Sequence, residues 1–369
     1  MKRFLKAVLK KTPVWFFNCL VGKISNKKFV EDNGLRLETI NPDNGGSCFA
    51  NNILEKPEFD LLVIIPCYNT EKYIQKCVDS ILKQATTYKI CVRLINDGSS
   101  DNTKAILDAL KIKNVSNLIF EVFHKENSGA ASTRNLGLKH INARYIMFID
   151  SDDHLIGADV FQYSISLADS IKCDSKIIEF NYSNNVDKEK RNNKIKRCLY
   201  RDLNGFSWAK IYSSQIFEKV CFPEQYWFED TVNSFVIYPL AKEVYQCSKS
   251  IYCYIYNESG STSISKSNNK TIDTIYITRK LIENRAHYPL KNDEEYGYRI
   301  ALQTICNCMR ISTLSLDIQI AAFYETKRLF KSNAFPRIKR FKKLYESIEK
   351  GDYSHYLKFS KLYTKIYIS

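Results

Sequence analysis

The stretch YIMFIDSDD at residues 145–153 joins a run of apolar residues to three closely spaced carboxylates. The apolar part predicts a buried strand, and Asp150, Asp152 and Asp153 follow directly at its carboxyl end. Carboxylates this close repel one another unless a cation lies among them. A divalent ion with oxygen ligands, Mn²⁺ or Mg²⁺, would relieve that repulsion. The alternative is a solvated acidic turn that caps the next helix.

Three more strands with intervening helices are predicted before this stretch. The strands are expected at 61–66, 89–95 and 118–123, and the helices at 71–85, after Asp101 and at 129–141. Such alternation produces right-handed βαβ units and a mostly parallel α/β sheet covered by helices. Ligands bind such sheets outside the carboxyl ends of the strands. We therefore expect the polar segments that follow the four strands to converge at one edge.

Two of these polar segments carry candidate nucleotide ligands. Asp97 ends the second strand and can accept hydrogen bonds from a base or a ribose, although it also fits a turn beside Gly98. Residues 127–129 precede a helix that carries Arg134. A helix N-terminus with a nearby guanidinium favours phosphate, whereas the alternative is an ordinary capped helix with an exposed arginine.

A second acidic pair, Glu229-Asp230, follows the aromatic residues Tyr226, Trp227 and Phe228. A carboxylate can take the proton from an attacking hydroxyl, and aromatic faces suit the apolar faces of sugar rings. The alternative is the acidic first turn of a helix. Other catalytic classes lack their motifs, because the sequence contains no GxGxxG after the first strand, no GxxxxGK[ST] and no GxSxG.

Taken in order, six segments resemble the large bacterial family 2 of glycosyltransferases, which has the GT-A fold. The resemblance covers roughly residues 60–265. The six segments are VIIPCYN (63–69), NDGSSDNT (96–103), NSGAASTRNLGL (127–138), FIDSDD (148–153), WAKIY (208–212) and WFEDT (227–231).

The resemblance implies a nucleoside-diphosphate sugar donor, with UDP as the expected nucleotide, and inversion at the anomeric carbon. It implies roles for the following residues: Pro66, Tyr68, Asn69, Asp97, Arg134 and Asp150 in nucleotide binding, Asp152 and Asp153 in metal binding, Asp230 as general base with Glu229 beside it, and Trp227 on the acceptor side. One departure stands out. Members often carry Tyr-Arg where this chain has Tyr256-Asn257, before Ser261 to Ile264, so the phosphate contact of that arginine is missing.

The sequence predicts three regions. Residues 1–57 are expected to form a basic N-terminal extension with an amphipathic helix, which lies in a membrane interface or packs on the protein body. Residues 58–265 are the expected catalytic domain, with a nucleotide half at 58–155 and an acceptor half at 156–265. Residues 266–369 are expected to be helical and basic.

The formal charge of +15 is concentrated at the chain ends. Residues 1–30 carry eight Lys or Arg and no acid, and residues 327–369 carry twelve against three acids. In residues 335–345 and 356–369 these bases are mixed with aromatics, which favours anionic lipid headgroups. A nucleic-acid face and a plain solvated face are the alternatives. Together with cysteines that lack metal spacing, this predicts a cytoplasmic protein held peripherally at the inner face of the cell membrane.

The predicted function is sugar transfer to a hydroxyl of a glycan or lipid-linked glycan, as in capsule or lipopolysaccharide assembly. A non-catalytic nucleotide-sugar-binding scaffold is the alternative, and donor hydrolysis that requires Mn²⁺ distinguishes the two. We expect no nucleic-acid partner, because the basic segments are not in the polar loops of the sheet. Salt-dependent binding to liposomes but not to duplex DNA checks this expectation.

Overall fold

The computed structural model describes residues 31–45, 51–110, 117–184, 193–257 and 268–368. The chain divides into two compact units. One contains residues 45–260, and the other combines residues 1–44 with 261–369. Residues 45–57, predicted as part of the extension, therefore belong to the sheet unit. The amphipathic helix predicted near the start of the chain and the segment Ser261 to Ile264 lie outside the described residues.

The sheet unit contains all the strands among the described residues. They are β1 (Asn52–Ile53), β2 (Phe59–Cys67), β3 (Ile90–Asp97), β4 (Leu118–Lys125), β5 (His140–Ile141), β6 (Ala143–Phe148), β7 (His154–Leu155), β8 (Lys176–Asn184), β9 (Ile195–Cys198), β10 (Lys210–Ser213) and β11 (Glu243–Tyr254). Its helices are α1 (Ile74–Leu82), α2 (Thr103–Leu110), α3 (Gly129–Leu138), α4 (Val160–Ser170) and the short α5 (Tyr238–Leu240), which continues a π-helical segment at Asn233–Ile237. Single 3₁₀ turns lie at Tyr200–Asp202 and Ser214–Phe217.

Nine of these strands form one mixed sheet in the order β4-β3-β2-β6-β10-β8-β11-β7, with β9 paired to β11. Strands β4, β3, β2 and β6 are parallel neighbours, as predicted. Strand β10 is antiparallel to both β6 and β8. Its amino end therefore lies at the same edge as the carboxyl ends of the parallel strands. This edge is called the rim below.

Burial explains why the central strands read as continuous apolar runs. Every residue of β3 is buried, and in β2 only Asp60 and Pro66 are partly exposed. Strands that are covered on both faces need apolar side chains on both. Helix α3 lies close against this centre, since a Cβ at Gly137 would meet the Ile64 side chain at 2.6 Å. Helix α3 is thereby held with its N-terminus at the rim.

The second unit is helical among its described residues. It contains α6 (Asp273–Asn284), α7 (Glu294–Ile311), α8 (Leu316–Ser332), α9 (Lys342–Lys350) and α10 (Tyr353–Tyr363), with 3₁₀ turns at Leu37–Thr39, Asn269–Ile272, Arg285–His287 and Lys339–Phe341 and a π-helical end at Thr364–Ile368. Gly351 ends α9 with φ +71°, and the Asp352 carboxylate then caps α10 by accepting from the His355 N–H at 3.1 Å. No helix among the described residues has the length and apolar character that a membrane crossing requires.

The aromatic residues of this C-terminal region face its interior. Phe341, Tyr356 and Tyr363 are each at most 3% exposed, and the Tyr356 hydroxyl donates to the Thr304 carbonyl at 3.1 Å. The outward positions are occupied by exposed bases, namely Lys331, Arg337, Lys339, Lys342, Lys350, Lys358, Lys361 and Lys365. These buried aromatic residues are therefore not part of the exposed basic surface, and the predicted membrane contact of this region stays a prediction.

Candidate active site

The rim brings together polar loops that are far apart in sequence. The loops after β2, β3, β4 and β6 reach it from the carboxyl ends of those strands. The segment before β10 reaches it from the opposite chain direction, and Trp208 forms a bridge with Phe148 at the end of β6. Residues from both predicted halves of the catalytic domain thus share one edge of the sheet.

The loop after β2 is locked to the loop after β3. Asn69 has a left-handed backbone (φ +49°), its N–H donates to the Ser99 hydroxyl at 3.0 Å, and its side-chain oxygen accepts from the Ser100 N–H at 2.9 Å. Tyr68 beside it is 52% exposed, whereas Pro66 is still within β2, opposite Ile95. The exposed Tyr68 ring is therefore free to stack on a planar group, while Asn69 holds the loop.

Asp97 is buried and fully engaged. Its carboxylate accepts from the N–H groups of Ser128 and Gly129 at 2.9 and 2.8 Å and from Lys125 Nζ at 2.5 Å. It therefore satisfies the N-terminus of α3, the place where the sequence predicted free N–H groups for phosphate. Gly98 is required next to it, because a Cβ there would meet the Asn127 N atom at 2.7 Å. The role of Asp97 in base recognition stays a prediction.

Arg134 joins the two acidic loops. Its guanidinium is 5% exposed and donates to Asp150 Oδ1 at 3.0 Å and to Glu229 Oε1 at 2.6 Å. The neighbouring Asn135 holds the chain that leads to Glu229, since it exchanges hydrogen bonds with the backbone of Phe222 at 2.7 and 2.8 Å. The Arg134 Nε atom has no hydrogen-bond partner in the described part of the chain. Helix α3 thus places one buried cation between the strand-end acids and the second acidic pair.

The three carboxylates after β6 have different surroundings. Asp150 accepts from Arg134 and is partly exposed. Asp153 is 1% exposed, and its oxygens accept from the Tyr252 hydroxyl and the Ile255 N–H, both at 2.7 Å. Asp152 accepts from the Asn257 amide at 3.2 Å. Burial and the Asp150 charge raise the pKa of Asp152 to about 6.

These donors suit a divalent cation only in part. Among the described residues, no three His, Cys, Asp or Glu side chains are grouped to hold a metal. Asp153 is turned into the sheet by Tyr252 and Ile255, so the predicted pair of ligands is reduced to Asp152 in this arrangement. The raised pKa of Asp152 means that its negative charge is disfavoured, and a bound Mn²⁺ or Mg²⁺ would stabilise that charge. Such an ion would take its remaining ligands from phosphate and water.

The second acidic pair begins a helical turn. Phe228 has a left-handed backbone (φ +65°), which is uncommon for a bulky residue and is often found at functional sites. Asp230 Oδ1 accepts from the Ser207 hydroxyl at 2.9 Å. Burial and the neighbouring Glu229 carboxylate raise the pKa of Asp230 to about 7. A carboxyl that titrates near neutral pH is suited to accept a proton there.

A stack of aromatic rings lies beside this pair. Phe206 stacks on Trp208 at 4.6 Å between ring centroids, and Trp208 stacks on Tyr252 at 4.8 Å. Tyr254 lies against Trp208 at 5.6 Å, and Tyr182 meets its edge at 4.8 Å. Trp208 and Tyr252 are buried, whereas Phe206 is 42% exposed. The predicted acceptor-side residue Trp227 is half-buried and meets the edge of the Phe228 ring.

Three residues of the site carried no role in the sequence prediction. Lys125 pairs with Asp97, Tyr252 connects Asp153 and the Asp150 N–H, and Ser207 connects the aromatic stack to Asp230. Ser207 directly precedes the WAKIY segment, so its position next to a conspicuous motif was the available signal. The pairs are separated by 23 to 102 residues, which local sequence patterns do not reveal.

The chain is similar in sequence to curated bacterial proteins. It is 30% identical over 219 residues to a putative glycosyltransferase, EpsH of Bacillus subtilis. The match covers 54% of this chain and 61% of EpsH. It is 34% identical over 121 residues to the minor teichoic acid biosynthesis protein GgaB of the same organism, which covers 32% of this chain and 13% of GgaB. The chain therefore spans less than two thirds of the length of each of these two relatives.

Its fold is similar to that of a solved structure, TarS 1-349 of S. aureus in complex with UDP-GlcNAc. The TM-score is 0.62 at 18% identity, over 83% of this chain and 92% of that one. This similarity supports the predicted GT-A fold, with its mostly parallel sheet, flanking helices and helical C-terminal region. Residues 62–208 match the family model described as glycosyl transferase family 2. The sheet unit, which contains the rim, therefore carries a segment that matches glycosyl transferase family 2.

Proposed function

We propose that this protein is an inverting glycosyltransferase that moves a sugar from a nucleoside-diphosphate sugar, with UDP as the favoured nucleotide, to a hydroxyl of a glycan acceptor. One observation carries the proposal: buried Arg134 forms ion pairs with Asp150 after β6 and with Glu229. The acidic loop after β6 and the proposed base Asp230, next to Glu229, are therefore held at the same rim. Tyr68, exposed at that rim, supplies a face for the nucleoside base.

The proposed reaction is a single displacement. The acceptor oxygen attacks the anomeric carbon while the bond from that carbon to the diphosphate oxygen breaks, and Asp230 takes the proton of the attacking hydroxyl. Attack opposite the leaving group inverts the anomeric centre. The Ser207 hydroxyl occupies Asp230 Oδ1, so Oδ2 is the oxygen proposed to receive the proton.

Asp152 is proposed to hold the divalent ion. When bound, Mn²⁺ or Mg²⁺ supplies positive charge for the diphosphate leaving group. The protein holds the carboxylate in place through the Asn257 amide, and Asp153 anchors the same loop to β11. Asn257 lies where relatives often have arginine, so this chain depends on the ion for charge at that position.

Donor turnover provides the test of this function. Hydrolysis of UDP-, GDP- and dTDP-sugars by water is measured with Mn²⁺ and with a chelator. We expect turnover of one nucleotide class, lost with the chelator and reduced about 100-fold or more in Asp152→Asn. Binding without turnover would support a nucleotide-sugar-binding scaffold instead. A matched control is Asp169→Asn, because Asp169 pairs with Arg144 and lies away from the rim loops.

The aromatic stack is proposed to bind a sugar ring of the acceptor. Phe206 and Trp208, which stack on each other, flank Ser207 in sequence, and Ser207 contacts the proposed base Asp230. An aromatic ring can stack against the apolar face of a pyranose ring, whereas a linear polyol phosphate has no such face. The acceptor is therefore proposed to present a pyranose.

Removal of the outer ring should weaken acceptor use selectively. Phe206→Ala is expected to raise the KM for methyl pyranoside acceptors about fivefold, as expected for loss of roughly 1 kcal/mol of ring contact, and to leave donor hydrolysis unchanged. Leu199→Ala removes another exposed apolar side chain, 48% exposed, and serves as control. An unchanged KM in Phe206→Ala would exclude the stack as the acceptor site.

Assembly of a bacterial surface polysaccharide at the membrane is the proposed setting. The relative GgaB is named for teichoic acid biosynthesis, and capsule or lipopolysaccharide glycans present similar hydroxyl acceptors. The exposed bases of the C-terminal region support attraction to anionic lipid at the inner face of the membrane, with the protein in the cytoplasm. A lipid-linked glycan would then reach the enzyme at that surface.

A further inference from the structure

Asp230 is the end of a chain of three polar side chains. Ser207 Oγ donates to Asp230 Oδ1 at 2.9 Å, and Asn233 Nδ2 donates to Ser207 Oγ at 3.0 Å. Ser207 and Asn233 are each 1% exposed. Water therefore has little access to Ser207, which contacts the proposed base, or to Asn233 behind it.

The direction of this chain follows from one neighbouring carbonyl. The Gly205 carbonyl accepts from Asn233 Nδ2 at 2.9 Å. Because a carbonyl only accepts, the amide nitrogen of Asn233 must face it, and the same nitrogen then faces Ser207. Ser207 Oγ receives that hydrogen, so its own hydrogen is left for Asp230. The opposite amide orientation would place two oxygens together and draw the Ser207 hydrogen away from Asp230.

This orientation has an energetic cost. Asn233 Oδ1 is buried and has no hydrogen-bond partner among the described residues. Buried polar atoms are usually paired, so an unpaired one indicates that another requirement fixes the side chain. The direction of the Ser207 hydroxyl is such a requirement.

The loop that carries Ser207 is held in place from the sheet. Lys210, fully buried, donates to the Asn204 side chain at 2.6 Å and to the Phe206 carbonyl at 2.8 Å. The Tyr212 hydroxyl donates to the Ser207 carbonyl at 2.9 Å. Ala209, between them, has a left-handed backbone with φ +54°. These contacts therefore fix the segment before β10 that carries the Ser207 hydroxyl.

We propose that Ser207, oriented by Asn233, is a positioning residue that keeps Asp230 ionised and reserves Oδ2 for the attacking hydroxyl. The proposal rests on the assignment of Asp230 as the base. A donor to a carboxylate favours its charged form. Of the other groups that face Asp230, Arg134 also favours this form, whereas Glu229 and Asp150 oppose it. Tyr212 packs nearby, and its own pKa is raised by burial.

The test is the pH profile of donor turnover, with the nucleotide sugar that the donor panel identifies. Without Ser207 the pKa of Asp230 rises, so more of the base is protonated at a given pH below it. In Ser207→Ala the acid limb should move up by about one pH unit, a roughly tenfold loss at a fixed pH on that limb. Ser207→Thr, which keeps the hydroxyl, should restore the limb.

Two controls separate this inference from its premise. Ser214→Ala removes another buried hydroxyl, which donates to the Ala143 carbonyl, and should leave the acid limb in place. Calorimetric binding of UDP with Mn²⁺ should be unchanged in Ser207→Ala. If Asp230→Asn is inactive and the limb of Ser207→Ala coincides with that of the unmodified protein, the positioning role is refuted. If Asp230→Asn turns over normally, the base assignment fails first.

Discussion

Replacement of Asp230 by Asn should lower sugar transfer by roughly 100-fold to 10,000-fold while the protein stays folded. Asn has nearly the same shape and can still accept from the Ser207 hydroxyl through its oxygen. It cannot accept the proton of the attacking hydroxyl. The rate of turnover, measured at saturating donor, is the direct readout, and UDP binding with Mn²⁺ should persist.

The pH dependence provides a second check on the same residue. Because burial and Glu229 raise the pKa of Asp230 to about 7, the base is ionised above that pH, and turnover should fall as the pH drops through it. In Asp230→Asn this acid limb should disappear from the residual rate. Glu229→Gln is the comparison variant. If it loses more turnover than Asp230→Asn, Glu229 is the base and our assignment is wrong.

Raising the pH, which increases turnover by ionising Asp230, should decrease the stability of the folded protein. A carboxyl whose folded pKa is raised binds its proton more tightly in the folded protein than in the unfolded chain. Its contribution to stability is therefore present near pH 4 and is lost as the pH rises through about 7. Neutral Asn avoids this loss. The free energy of unfolding of Asp230→Asn should match that of the unmodified protein near pH 4 and exceed it at pH 8.

The sequence predicts the parallel half of the sheet well because its signals are local. Apolar runs locate β2, β3, β4 and β6 to within about three residues, and Asp101 caps α2 as expected, since it accepts from the Thr103 N–H at 3.0 Å. The rule that parallel strand ends share one edge then places the polar loops together. These inferences need no knowledge of distant contacts.

Features that depend on distant partners are not predictable in this way. The insertion of β10 between β6 and β8 is set by pairing across more than thirty residues, and it brings Ser207 to the rim. The sequence suggested Asp97 as an acceptor for a base or a ribose. In the structure its carboxylate accepts from the N-terminus of α3, and this contact depends on where that helix begins. An exposed Arg134 was an open alternative in the sequence, because its two carboxylate partners come from other elements.

The C-terminal aromatics show that composition and periodicity can point in different directions. The mixture of aromatic and basic residues in 335–345 suggested a membrane face. The spacing of Phe341, Leu344, Tyr345 and Ile348 is that of the buried side of a helix, and all four are buried. The periodicity was the better guide, because long basic side chains reach solvent from either side of such a stripe.

Arg134→Met should destabilise the sheet unit by about 3–5 kcal/mol, the cost of removing one partner from a buried ion pair. Met preserves much of the side-chain volume beside Phe222 but leaves Asp150 and Glu229 without their shared cation. Asp230 also loses a nearby positive charge, so its pKa should rise further. Urea unfolding followed by tryptophan fluorescence is the measurement, since Trp208 and Trp227 both lie in this unit.

Arg144→Met is the matched control. Arg144 also bridges two carboxylates, Asp60 at 2.9 Å and Asp169 at 2.6 Å, but its side chain is 37% exposed. Solvent screens such pairs, so its loss should cost about 1 kcal/mol or less. Equal effects of the two substitutions would mean that burial of Arg134 adds nothing. A larger effect at Arg134 would indicate that the cation which joins the two acidic loops also stabilises the fold around them.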